Sequence, residues 1–341
     1  MAVLIAVASG ALLTGAASDR GDGAKSEGER GREVDLSGLE PRNGSPPSSS
    51  RLAQALDRGI DEAHRLGGTA QAAVWAEGWP EPVERGDDLR RPMRLWSLAK
   101  PVVAVATLDA VRRSGAPSPS PELARAMTGA LTRSENCRQR RVLLGLQALS
   151  GGPLGAREPI RRVLASAGAR EVVLPQRPTP PEPTCRAYLG HSGAGLADPY
   201  APTLPFGTAR WTARDAVAFG HALGNGSYGD AGGEVIDLMR QAKGRSRELQ
   251  SAGEYTADVR WGAGRSLARR RPAYKAGWGG SLTGAFSASQ LALIDVRGRH
   301  VAIFASFQPR VQPPRDDPGA TDAPTAIEAI FGHVGEELSS G

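Results

Sequence analysis

Ser97 and Lys100 stand three residues apart at the head of an apolar run, Val102 to Val111. Residues three apart on a helix project from one side, so a hydroxyl and an amine share the first turn of the helix predicted for Ser97 to Val111. A serine hydroxyl attacks a carbonyl only once a base takes its proton. A lysine desolvated by apolar neighbours and near a second cation can become that base, whereas arginine does not deprotonate. Lysine is scarce here: Lys25, Lys100, Lys243 and Lys275 are the only four, and arginine supplies the rest of the basic charge. Two more short patterns follow in order. Ser134-Glu135-Asn136 lies in a turn after a predicted helix, and Lys275-Ala276-Gly277-Trp278 opens a predicted strand. Each has a plainer reading: a helix N-cap with a surface lysine, a polar turn, and the edge of a strand.

The elements that must position these groups follow from periodicity. Leu52, Leu56, Ile60 and Ala63 recur at helical spacing and stop at Gly67-Gly68. Thr69 to Ala76 and Pro82 to Glu84 flank a Gly-Trp-Pro turn and read as a hairpin. Pro121 to Leu131, Val142 to Leu149, Pro159 to Ala167, Thr212 to Leu223 and Glu234 to Met239 carry helical character. Between them Val173 to Pro205 is a long proline- and glycine-rich loop, of a length that usually signals function. The period then changes: Ala273 to Lys275, Ala285 to Val296 and His300 to Phe307 read as strands. A last helix puts Ala326, Ile327, Ile330 and Val334 on one side. This order predicts an α+β fold, with one antiparallel sheet built from both chain ends, flanked by helices, and a helical lobe inserted between.

Bulk properties narrow the function. A hydrophobic content of 40% and a charged content of 23% suit a globular domain. The net charge of +6 comes from arginines scattered among carboxylates without interleaved aromatics, which argues for a solvated surface and against nucleic acid as a partner. Residues 1–17 read as a signal peptide or N-terminal anchor, although the basic n-region is missing. Residues 18–50 read as a disordered linker, and 51–341 as the folded domain. The expected location is secreted or extracytoplasmic, with membrane contact only through an uncleaved N-terminal segment. In that oxidising setting Cys137 and Cys185 either pair or remain two buried thiols. The five histidines show no ligand spacing, and there is no P-loop or convincing dinucleotide fingerprint. No metal and no cofactor are expected.

The ordered trio resembles the S-x-x-K, S-D-N and K-T-G elements of serine β-lactamases and penicillin-binding proteins. The resemblance runs from about Arg51 to the C-terminus and implies a class A β-lactamase-related serine hydrolase with a β-lactamase/transpeptidase-like fold. It casts Ser97 as nucleophile, Lys100 as its base and Ser134 as the shuttle that protonates the leaving nitrogen. Asn136 would hold the acyl amide of the substrate, Lys275 would supply positive charge, and Gly277 would allow close approach. The N–H groups of Ser97 and Trp278 would form an oxyanion hole. The expected partner is a β-lactam or a peptidoglycan stem peptide ending like D-Ala-D-Ala, met by a monomer. The alternatives are a DD-peptidase or penicillin-binding protein, and a catalytically silent binding protein of the same fold.

Three departures matter. Glu135 replaces the usual aspartate, and Ala276 removes a hydroxyl that would bind the carboxylate of a substrate. The long loop also lacks the Glu-x-x-x-Asn element that activates hydrolytic water in class A enzymes. Glu182 is its only candidate, and Arg186 stands four residues on. Slow deacylation is therefore expected.

Overall fold

A strand whose side chains alternate between two faces can carry a separate core on each, and the central strands here do so. The computed structural model describes residues 47–174, 209–242, 260–279, 286–313 and 321–340, all within the unit Arg42–Gly341. The first elements are α1 (Ser49–Arg65), β1 (Gly68–Ala76), β2 (Val83–Gly86) and β3 (Met93–Arg94). A 3-10 turn, Trp96–Leu98, then leads into α2 (Ala99–Arg113), α3 (Pro121–Thr132), α4 (Asn136–Leu149) and α5 (Arg157–Ser166). After these come β4 (Arg210–Trp211), α6 (Ala213–Gly224), α7 (Gly229–Arg240) and a short α8 (Ala263–Ser266). The chain closes with β5 (Ala273–Gly279), β6 (Ser287–Val296), β7 (Arg299–Pro309) and α9 (Ala323–Ser340). The main sheet is antiparallel in the order β2-β1-β7-β6-β5. The α+β architecture and the sheet drawn from both chain ends are as the sequence predicts.

On one face, Ala72 and Val74 of β1 and Ile303 and Ala305 of β7 pack with Leu52, Leu56 and Ile60 of α1 and Ile327 and Ile330 of α9. On the other, Ala73, Leu291, Leu293 and Phe304 meet the helical lobe through Val102, Leu146 and Phe219. α1 and α9 approach so closely that a Cβ on Gly59 would stand 2.7 Å from the Ile330 Cα. Among the described residues no helix is long and apolar enough to cross a membrane.

Several boundaries move. Ser48 caps α1 by accepting from the Arg51 N–H, so this helix starts at Ser49, two residues ahead of Arg51. α2 begins at Ala99, leaving Ser97 in the 3-10 turn ahead of it. α4 begins at Asn136 rather than near Val142, because the polar Asn136 to Arg141 stretch carries no apolar period to announce it. The β3–β4 ladder, Met93 opposite Trp211 and Arg94 opposite Arg210, is too short for period-based reading. Residues 1–17, nearly all of the linker and most of the long loop lie outside the described residues.

Ile330 is fully buried at the α1–α9 contact. Ile330→Ala is expected to lower the unfolding free energy by about 2–5 kcal/mol, read from the midpoint of a denaturant titration at unchanged slope.

Candidate active site

The chain reaches the site through a turn fixed on both sides. The Leu95 N–H donates to Ala209 O at 2.9 Å, and Leu98 N–H to Leu95 O at 2.9 Å. Between them Trp96 takes a left-handed backbone, φ 48°, which costs a non-glycine residue about 1–3 kcal/mol. Side-chain contacts hold it there. Its Nε1–H donates to Ser287 Oγ at 3.0 Å, and the Arg94 guanidinium lies 5.7 Å from its ring centroid. A Cβ on Gly279 would come within 2.5 Å of that ring. One residue on, half-buried Ser97 crosses β5 at Gly277, where a Cβ would stand 3.0 Å from the Ser97 nitrogen and 2.8 Å from Leu95 O. Glycine at 277 is therefore a steric requirement of the Ser97 turn.

Lys100 points from the first turn of α2 into the interior and is 0% exposed. Its Nζ donates to Ser134 O at 2.5 Å, Asn136 Oδ1 at 2.8 Å and Ser134 Oγ at 3.2 Å. Lys275, 3% exposed on β5, donates to the same Ser134 Oγ at 2.8 Å and to Ala276 O at 2.8 Å. Two amines thus share one hydroxyl. Ser134 presents both its oxygens because it too is left-handed, φ 60°. The chain reverses there after α3, and the Glu135 N–H reaches back to Gly129 O at 3.2 Å. The buried Glu135 carboxylate braces the turn, 3.8 Å from Arg133 and 3.6 Å from Arg138. Asn136 then opens α4 with its amide oxygen on Lys100.

The electrostatic consequence is direct. Burial, reinforced by the positive charge of Lys100, holds the Lys275 amine well below its ordinary 10.5. A proton on Lys275 is readily lost, and Ser134 Oγ is the shared path between the two amines. Chemically, this arrangement can accept, relay and deliver a proton beside a half-buried serine. Among the described residues no group of three or more His, Cys, Asp or Glu could hold a metal ion.

Searches of solved structures return β-lactamases over most of the chain. The enzyme from Xanthomonas campestris aligns at 17% identity and TM-score 0.52, over 84% of this chain and 98% of its own. The one from Desulfarculus baarsii aligns at 15% and 0.53, over 86% and 99%. A protein titled PBP-A aligns at 14% and 0.52, over 86% and 97%. The fold is β-lactamase-like. No family model matches the chain, and no curated protein matches it by sequence.

Within the β-lactamase-like fold, Ser97, Lys100, Ser134, Asn136, Lys275 and Gly277 come together. Trp278 is half-buried at the edge strand, with its ring 6.3 Å from that of Trp261 in an edge-on arrangement. Because β5 ends the sheet order, its outward backbone groups are not used by β6. Cys137 is fully buried and disulfide-bonded. Glu182 and Cys185 lie outside the described residues. Sequence reasoning missed Trp96. The only hint was a tryptophan directly before the serine, since a positive φ leaves no mark in periodicity.

The depressed Lys275 amine links stability to pH. Between its lowered native value and 10.5, the unfolded chain holds a proton that the native protein has released, so stability rises with pH there. Below that interval the lysine is charged in both states and its contribution is flat. Lys275→Met should remove this rise, read as a smaller gain in melting temperature between neutral and alkaline pH than wild type shows.

Proposed function

We propose that this chain is an exported serine hydrolase that forms an acyl-enzyme at Ser97 with β-lactams or D-Ala-D-Ala-like peptides. One observation carries the reading: Ser134 Oγ is held by the amines of both Lys275 and Lys100, the latter three residues after Ser97. In this reading Lys100, once deprotonated, takes the Ser97 proton, and Ser97 Oγ attacks the carbonyl of a strained or terminal amide. The N–H groups of Ser97 and Trp278 receive the developing oxyanion. As the C–N bond breaks, Ser134 passes a proton to the leaving nitrogen and is resupplied through the lysines. The acyl group stays on Ser97 as an ester. Asn136 lies beside Lys100, where it serves the acyl amide of the substrate, while Lys275 offers an N–H donor to its carboxylate.

Hydrolysis of that ester needs a base for water, and Glu182 is the sequence candidate. The missing Glu-x-x-x-Asn pattern favours slow release, and the same observation supports the second reading, a DD-peptidase or penicillin-binding protein. The monomeric, extracytoplasmic setting belongs to this proposal too.

The test is intact-mass spectrometry after mixing with a labelled penicillin. Wild type is expected to gain one adduct that outlasts an unlabelled chase, and Ser97→Ala to gain none. Lys100→Ala should acylate about 10²–10⁴-fold more slowly. Rapid, sustained hydrolysis of a chromogenic cephalosporin would contradict slow deacylation, and the absence of any adduct would favour a silent binding protein.

A further inference from the structure

Beside the Ser97 turn, on the lobe-facing side of the sheet, lies a cavity of about 390 Å³ that the proposed chemistry does not use. Its floor is a row of polar side chains set directly opposite one another across three strands: Gln71 of β1, Ser306 of β7 and Ser289 of β6. Such positions in a buried sheet normally carry apolar residues, as Ala73, Phe304 and Leu291 do one step along the same face. Gln71 and Ser289 are 6% and 3% exposed, and their Oε1 and Oγ atoms have no hydrogen-bond partner. Buried polar atoms left unmet in this way are destabilising, and a bound partner would relieve them.

The rim is cationic. Arg94 and Arg210 face each other directly across the β3–β4 ladder, and Arg91 stands beside them. Like charges opposed in this way destabilise a ladder. Burial, and the neighbouring Arg210, depress the Arg94 guanidinium accordingly. Of the two lining carboxylates, Asp87 is already held by His64 Nε2 at 2.7 Å and the Ala70 N–H at 2.9 Å. The other, Asp88, is exposed; its backbone carbonyl accepts the Gln71 Nε2–H at 2.7 Å, which fixes the Gln71 amide with its oxygen left over.

We infer that this cavity binds a small oxyanion carrying its own hydrogen-bond donor, a hydroxycarboxylate or a hydrogen phosphate. The guanidinium groups of Arg94 and Arg210 take the anionic oxygens in charge-assisted bonds. Ser289 Oγ gains a partner on the same group, and the hydroxyl of the ligand donates to Gln71 Oε1. Ser287, which also lines the cavity, accepts the Trp96 Nε1–H, so the ligand sits against the side chains that hold the Ser97 turn.

The test is isothermal titration calorimetry of the intact protein with sodium glycolate and with inorganic phosphate, each against sodium chloride at matched ionic strength. Saturable binding of at least one oxyanion, absent with chloride, is expected. Glycolate alone would identify a carboxylate ligand, and phosphate alone a phosphate one. Arg210→Gln should weaken binding about tenfold or more, and Ser289→Ala several-fold, with both variants folded by their melting curves. No binding beyond chloride, or wild-type affinity in folded Arg210→Gln, overturns the inference. The readout is binding heat, so failure of Ser97 to acylate would leave it standing.

Discussion

Two amines share one serine hydroxyl in the interior of this protein, and the surrounding structure is arranged to make that tolerable. Removing an ammonium from water costs several kcal/mol even after relaxation. Lys100 recovers this only by having acceptors for its hydrogens, namely both oxygens of Ser134 and the amide oxygen of Asn136. That requirement reaches outward. Ser134 must be left-handed to turn two oxygens inward, and Asn136 must open a helix. Lys275 must fall on the lobe-facing side of β5, opposite Leu291.

The second constraint is steric and fixes Ser97. The turn carrying it is pressed onto Gly277 from one side and held by the Trp96 side chain from the other. These contacts fix the main chain at Ser97 and do not involve its hydroxyl. In the proposed reading they give the nucleophile a rigid support beneath its reactive atom.

Much of this was legible in the residues. Leu52, Leu56 and Ile60, and Ile327 and Ile330 at the other end, announce two amphipathic helices that have to share one apolar surface. The scarcity of lysine singles out Lys100 and Lys275 because arginine would do as well on any surface. Other features leave no trace in pattern. Ser289 sits in a strand whose apolar neighbours conceal a polar floor, and only the register with Ser306 and Gln71 assembles it. The left-handed residues Trp96 and Ser134 are set by tertiary contacts rather than by local preference. The start of α4 is hidden because its buried positions there, Cys137 and Gln139, are set among arginines and carry no apolar helical period.

The pairing of β1 with β7, Gly68 opposite Pro309, has a kinetic meaning. β1 emerges early in synthesis, yet its inner neighbour and the α9 helix that covers it come last. A loop spanning most of the chain must close before those contacts form, and topologies rich in such distant pairings fold slowly. Until β7 and α9 are available, β1 and α1 lack these partners and the central strands of the sheet stay unjoined.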